Sequence, residues 1–152
     1  MSVYSKQKLE AEIELTKIFQ QFPHKLCILR VFSVLSLESR NYTLGAAIKR
    51  AAADVEFRIS NIDDERDFLH PRQISEIIIQ LLHRENLPQV VNICSGTAMS
   101  VGEAIQLLAK HKNIEISPNQ LISGKSENPR IVGDASLLKS IIKLDSLEYK
   151  CF

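Results

Sequence analysis

Glycine is scarce in this chain. Only five occur in 152 residues, Gly45, Gly96, Gly102, Gly124 and Gly133, and none of them forms the closely spaced loop that cradles a pyrophosphate between a strand and a helix. A charge excess is equally missing. Nineteen basic residues stand against eighteen acidic ones, with no basic block and no interleaving of aromatic and basic residues, which excludes a nucleic-acid binder held by phosphate contacts. Long apolar runs are absent too: "CILRVFSVLSL" is broken by Arg30 and falls short of the roughly 18 residues a membrane span needs. The polar start "MSVYSKQKLE" gives no reason to expect a signal peptide. Cysteines are few, odd in number and widely spaced. Cys27 and Cys94, in apolar strand-like runs, read as unpaired core thiols in a reducing cytoplasm, and Cys151 does not make a prenylation box. His24, His70, His83 and His111 lack the short spacings of a metal site, so no metal is expected.

What is present is enough for one real core: 45% of the residues are hydrophobic, and the expectation is a single domain over residues 1–152. Leu9, Ile13, Leu15, Ile18, Phe19 and Phe22 recur at steps of three and four, predicting an amphipathic helix from Val3 to about Phe22, stopped before Pro23. "KLCILRVFSVLS" reads as a buried strand, "NYTLGAAIKRAAADV" as a helix capped by Asn41 or Thr43, and "VEFRIS" as a second strand before the polar turn "NIDDERD". Pro71 opens a helix whose apolar face is Ile74, Ile77, Ile78, Leu81 and Leu82. "QVVNIC" predicts a strand, and Ser100 with Glu103 a capping box at the head of the next helix. "NIEISP" predicts another strand, "GKSENPRIVGDAS" an irregular connection, and "SLLKSIIKL" a last helix. Strands alternating with helices predict an α/β fold; no repeat, low-complexity tract or linker interrupts them.

Tyr4 and Lys8 stand four apart, hence on one helix face. An ammonium beside a phenol favours the phenolate, which lets a tyrosine exchange protons while a nicotinamide moves a hydride. The plainer alternative is a solvated face on a lysine-rich helix, and the pair alone does not choose between the two.

The rest of the chain adds an ordered set of segments: "YSKQKLEAE", "ILRVFSV", "SNIDDERDFLHPRQISEII", "VVNICSG" and "NPRIVGDASLLKSI". In this order they resemble, in turn, the catalytic tyrosine-lysine helix, the following strand, the sugar-nucleotide segment, the Asn-x-Gly-Ser-Gly turn and the C-terminal segment of the extended short-chain dehydrogenases/reductases. These are the NAD(P)-dependent sugar-nucleotide epimerases, dehydratases and reductases. The Asn61–Asp67 segment and "PRIVGDASLL" look most like enzymes of GDP-deoxyhexose metabolism, of the GDP-4-dehydro-6-deoxymannose reductase and GDP-mannose dehydratase types.

The resemblance implies roles. Tyr4 is the acid/base; Lys8 favours its phenolate and bonds the nicotinamide ribose; Arg66 meets the nucleotide diphosphate, for which a planar guanidinium is suited. Asn61, Ser33 and Lys125 stand at further substrate positions, and the cofactor is NAD or NADP. Alternatives remain open for several: Arg66 in an ion pair with Asp63, Asp64 or Asp67, Asn61 as a plain turn residue, and the "CSG" turn as architecture.

Departures from the pattern are as informative. The glycine-rich loop and the upstream catalytic serine or threonine are not in these residues. Ser33 stands for the strand's asparagine, Arg72 and Gln73 for two acids, Gly124 and Lys125 for an Arg-Pro pair, and Cys94 for a glycine. The fold expected is therefore an incomplete Rossmann-like α/β fold, consisting of the catalytic helix and substrate-binding part. Alone it is expected to be inactive and not to bind NAD(P). The other readings are half of a split enzyme completed by a nucleotide-binding chain, and a non-catalytic module that holds a nucleotide sugar, of GDP-hexose type, or associates with a related enzyme without turnover. Bare apolar surface on the first helix and strand predicts self-association or pairing with such a chain.

Overall fold

The computed structural model describes residues 3–38 and 43–142. In chain order they form α1 (Val3–Ile18), a 3-10 turn (Pro23–Lys25), β1 (Ile28–Val31), β2 (Ser33–Val34), α2 (Leu44–Ala53), β3 (Ile59–Ser60), β4 (Glu65–Arg66), β5 (Phe68–Leu69), α3 (Pro71–Leu82) and β6 (Val90–Ile93). Then come β7 (Met99–Ser100), α4 (Val101–Lys112), a second 3-10 turn (Pro118–Gln120), β8 (Leu121–Ile122), β9 (Arg130–Ile131) and α5 (Ser136–Ile141).

β1 and β2 are one nearly continuous run that changes partner at Phe32. β1 lies parallel to β6, with Ile28 opposite Val90 and Val31 opposite Ile93. The Phe32 N–H then donates to the Ile93 carbonyl at 3.1 Å, and β2 continues parallel to β5, with Ser33 opposite Phe68. β3 and β8 are parallel, while β4 lies between antiparallel β7 and parallel β9. Parallel pairing with helices in the crossovers makes the fold α/β and Rossmann-like, as the alternation of elements predicts.

Local chemistry sets the helix ends. The Thr43 hydroxyl accepts the Ala46 N–H at 3.3 Å and caps α2; Asn41, the other candidate cap, lies outside the described residues. Ser100 and Glu103 form the expected reciprocal box on α4, and Asn113, in the left-handed region, closes that helix. Pro71 opens α3, but the cap is His70, whose Nδ1 accepts the Arg72 N–H while its own N–H donates to Gln73. α2 and α4 cover one core, Leu35, Ile48, Ile59, Phe68, Ile105 and Leu108 among it. α3 and α5 cover the other, built on Leu69, Ile77, Leu81, Val91, Ile93 and Leu138.

Four expectations change. α1 ends at Ile18, because a 3-10 turn opening on Pro23 takes over the following residues. β1 is not buried on both faces: Arg30 and Val31 are exposed, as is Val34 in β2. "NIEISP" is no strand; Ile114 and Ile116 pack on the first core without pairing, and the strand falls at Leu121–Ile122 instead. Leu82 faces solvent at 76% exposure, one position past the stripe that buries Ile77 and Leu81. Two segments read as turn or connection, around Glu65 and Arg130, contribute the short strands β4 and β9. Of the two thiols expected in the core, Cys94 is buried and Cys27 only partly so; Cys151 lies outside the described residues.

Candidate functional site

α1 carries Tyr4 and Lys8 on one face, the Lys8 Nζ lying 5.6 Å from the centre of the Tyr4 ring. The ammonium faces the ring rather than the hydroxyl, an attraction of the cation–π kind. No residue of this helix is buried: Tyr4 is 69% exposed, and Val3, Leu9, Ile13, Leu15 and Ile18 are also on the surface. A tether to β1 comes from Glu12, whose carboxylate accepts two N–H groups of Arg30, at 3.0 Å from Nε and 2.5 Å from Nη2. That bond holds the Glu12 carboxyl below its ordinary value.

The second group of predicted residues gathers where the β3–β4 turn meets the loop after β8. Asn61 is in the left-handed region with φ 57°, a conformation asparagine tolerates, and the Gly124 backbone, at φ 143°, lies beside it. Asp63 accepts the Ser123 hydroxyl at 2.5 Å and the Gly124 N–H at 2.8 Å. Those bonds, and after them the charge of Lys125, hold its carboxyl below the usual range. Asp64 accepts the Ser126 N–H at 2.9 Å and the Ser126 hydroxyl at 2.7 Å, and is likewise held low, first by Ser126 and then by Arg66. Arg66 donates to Asp64 Oδ2 and to the Glu65 carbonyl, both at 2.8 Å. Of the three acids considered as partners for Arg66, then, the structure selects Asp64. Asn61 and Lys125 meet at this turn beside Asp63, Arg66 joins it through Asp64, and Ser33 lies on β2, linked to the segment only through the Asp67 carbonyl.

Asp67 does something else. Fully buried, it accepts at one oxygen the Ser95 N–H and hydroxyl, each at 2.8 Å, and at the other the Gly96 N–H at 2.8 Å and the Gly133 N–H at 3.3 Å. Its own N–H donates to the Ile131 carbonyl, and its carbonyl accepts the Ser33 N–H at 3.0 Å. One carboxylate thus pins the "CSG" turn and the approach to α5 while its backbone joins β2 to β9. Beside it, Cys94 packs so tightly on Gly133 that a Cβ there would fall 2.5 Å from Sγ; burial, and after it the Asp67 charge, pushes this thiol up to about 11.

Sequence reasoning missed a cavity of about 690 Å³ between α2 and β3, lined by Thr43, Ala47, Arg50, Phe57, Ile59 and Ser60. The Arg50 guanidinium lies 4.3 Å over the Phe57 ring. The alanine-rich stretch was the available signal: small side chains on a helix leave room beside it. The Tyr4–Lys8 helix and the Asn61–Arg66 turn are separate in sequence, and among the described residues α1 makes no extensive packing contact with another element.

Comparison with known proteins places this geometry. Residues 1–94, more than half of the chain, match the profile of the NAD dependent epimerase/dehydratase family. The GDP-6-deoxy-D-talose 4-dehydrogenase of Aggregatibacter actinomycetemcomitans is 27% identical over 124 residues, 79% of this chain but 42% of that protein. The fold is similar to that of RMD from Pseudomonas aeruginosa, solved with NADPH, at a TM-score of 0.74 and 22% identity, over 91% of this chain and 48% of that one. It is also similar to a UDP-glucose 4-epimerase from Thermotoga maritima, solved with UDP-glucose, at a TM-score of 0.70 and 17% identity, over 92% and 47%. The chain spans about half the length of these relatives. With its tyrosine-lysine helix, the parallel pairs β1–β6 and β2–β5 and the Arg66–Asp67 segment all inside the matched region, the chain belongs to the NAD dependent epimerase/dehydratase family.

Proposed function

We propose that this chain, as a single domain over residues 1–152, supplies the acid/base helix and the nucleotide-sugar portion of an NAD(P)-dependent enzyme acting on a GDP-linked hexose. The observation that carries the reading is the exposed face of α1, on which Tyr4 and Lys8 lie together within the matched segment. A helix with Val3, Leu9, Ile13 and Ile18 on its surface and one ion-pair tether is built to be covered. What covers it is a nucleotide-binding unit, in the same polypeptide or a separate one. Where neither is present, copies of the chain associate through this face. The choice of a GDP sugar follows the name of the deoxytalose dehydrogenase relative.

In this arrangement the cavity beside α2 takes the nucleoside. A base needs a flat apolar slot with polar edges, and Phe57 under Arg50, with Thr43 and Ser60 at the rim, supplies both. The turn after Ser60 then leads the diphosphate to Arg66, with Asn61, Lys125 and Ser33 about it. Tyr4 exchanges the proton at the reacting sugar carbon's oxygen, and Lys8 holds the neighbouring positive charge.

The cofactor does not fit these residues alone. Five scattered glycines offer no cradle for a dinucleotide, and Tyr4 and Lys8 stand on an open surface. No step through NAD(P) is therefore assigned to this chain, and the isolated protein is expected to be inactive.

Calorimetric titration tests the reading. GDP-mannose is expected to bind the purified chain, with NADPH giving no heat until a nucleotide-binding unit from a related enzyme is added. In such a reconstituted enzyme, Tyr4→Phe is expected to abolish turnover while leaving nucleotide-sugar affinity nearly intact. Undiminished turnover in that variant would remove Tyr4 from the chemistry.

A further inference from the structure

Resting on the assignment of Arg66 to the diphosphate, we infer that Asp64 is a built-in competitor for that guanidinium and sets how weakly the site holds phosphate. The sign follows from which partner is fixed. Asp64, with a side chain only 6% exposed, is anchored by the Ser126 N–H and hydroxyl whether or not Arg66 is near. Arg66 is the more exposed member at 19%, and its other contact, to the Glu65 carbonyl, survives without Asp64. Arg66 therefore turns toward a ligand and Asp64 stays.

A diphosphate arriving at Arg66 meets a guanidinium already facing a carboxylate 2.8 Å away, and the negative charge remains behind it after binding. Within a partly buried site such a charge is screened far less than in water, so it opposes every bound phosphate. The neighbouring acids have partners of their own, and the nearby cation the structure sets at this turn, Lys125, faces Asp63. Asp63 is committed to Ser123 and Gly124, and Glu65 is paired with Arg130. Discrimination therefore shifts away from phosphate and toward the nucleoside, and a bound nucleotide leaves readily. Asp64 is in these terms a specificity-determining residue, not a phosphate contact.

The test uses the full chain, calorimetry, and four probes: GDP, UDP, guanosine and uridine. Asp64→Asn keeps an oxygen for the Ser126 N–H and removes the charge. It is expected to tighten GDP and UDP about tenfold and leave both nucleosides unchanged. In an Arg66→Ala background the same substitution is expected to give no gain, because there is no guanidinium to release. Ser126→Ala removes a hydrogen bond to Asp64 but not its charge, and is expected to change GDP affinity by less than about twofold.

If Arg66→Ala weakens GDP but Asp64→Asn does not tighten it, the competitor is refuted and the diphosphate assignment stands. A gain in Ser126→Ala equal to that in Asp64→Asn would trace the effect to the loop and equally refute it. If Arg66→Ala leaves GDP affinity unaltered, or no variant binds either diphosphate, the assignment of Arg66 itself fails and the competitor with it.

Discussion

Asp67→Asn is the substitution whose cost the structure defines best. The change is isosteric, so packing around the fully buried side chain is kept and the effect is electrical and directional. The amide oxygen of asparagine can still accept the Ser95 N–H and hydroxyl. Its NH2 group, however, replaces the oxygen that accepts Gly96 N–H at 2.8 Å and Gly133 N–H at 3.3 Å, so donors face donors. A buried N–H left without an acceptor costs about 1–3 kcal/mol, which applies to Gly133, while the part-buried Gly96 N–H loses less because water reaches it. The sum is about 2 kcal/mol, a sizeable part of the ~5–15 kcal/mol that holds a domain together. Urea unfolding followed by far-ultraviolet circular dichroism should show the midpoint lowered by about 1 M, and heating should lower Tm by about 6 °C. A loss below about 1 kcal/mol would refute the argument that this carboxylate pins the two turns.

Other expected outcomes follow from neighbouring features. Gly133→Ala should cost about 2 kcal/mol by overpacking against Cys94 and Phe32, and Cys94→Gly in the same chain should restore only part of it, because the Phe32 ring still lies 2.8 Å from the new Cβ; a double variant as unstable as Gly133→Ala alone would locate the strain at Phe32. Acid should destabilise the fold. Asp63, Asp64, Glu103 and Asp134 are held low by their hydrogen bonds, and a carboxyl depressed in the folded state contributes stability above its unfolded value that is lost as pH falls. The urea midpoint is therefore expected to drop progressively below about pH 4.5, and a flat profile down to about pH 2 would contradict these contacts. His70 acts in the same direction from about pH 6.5, since burial first, then nearby cations, oppose its protonation and its Nδ1 must stay free to cap α3. Glu12→Gln should speed amide hydrogen exchange across α1 alone; equal rates in both proteins would show that Arg30 does not tether the helix.

The helices were the legible part of the fold, because their signals are local. Thr43 and the Ser100–Glu103 pair each specify a terminus through bonds spanning three residues, Pro71 does so through its fixed φ, and all three lie where the sequence places them. The short strands were not. β4 and β9 are two residues each, with charged Glu65, Arg66 and Arg130 where periodicity gives no strand pattern, and they exist because they pair with each other. "NIEISP" has the alternation of a strand but no neighbour to pair with, so its isoleucines pack as a loop. Pairing across sixty residues cannot be read from six.

At the site the same division appears between what a residue is and whom it meets. Arg66 was legible as a cation beside three acids, yet nothing local chose among Asp63, Asp64 and Asp67 as its partner. The choice is made by distant residues: Ser123 and Gly124 take Asp63, Ser126 orients Asp64, and Ser95, Gly96 and Gly133 take Asp67. Asp67 is removed from the surface altogether and becomes the joint on which the site is mounted. Cys94, buried beside Asp67, is accommodated because Gly133 faces it and leaves room for its sulfur. On the reading proposed above, the nucleotide-sugar side, mounted on these hydrogen bonds, holds its form by itself, and the acid/base side waits on whatever packs against the exposed Tyr4.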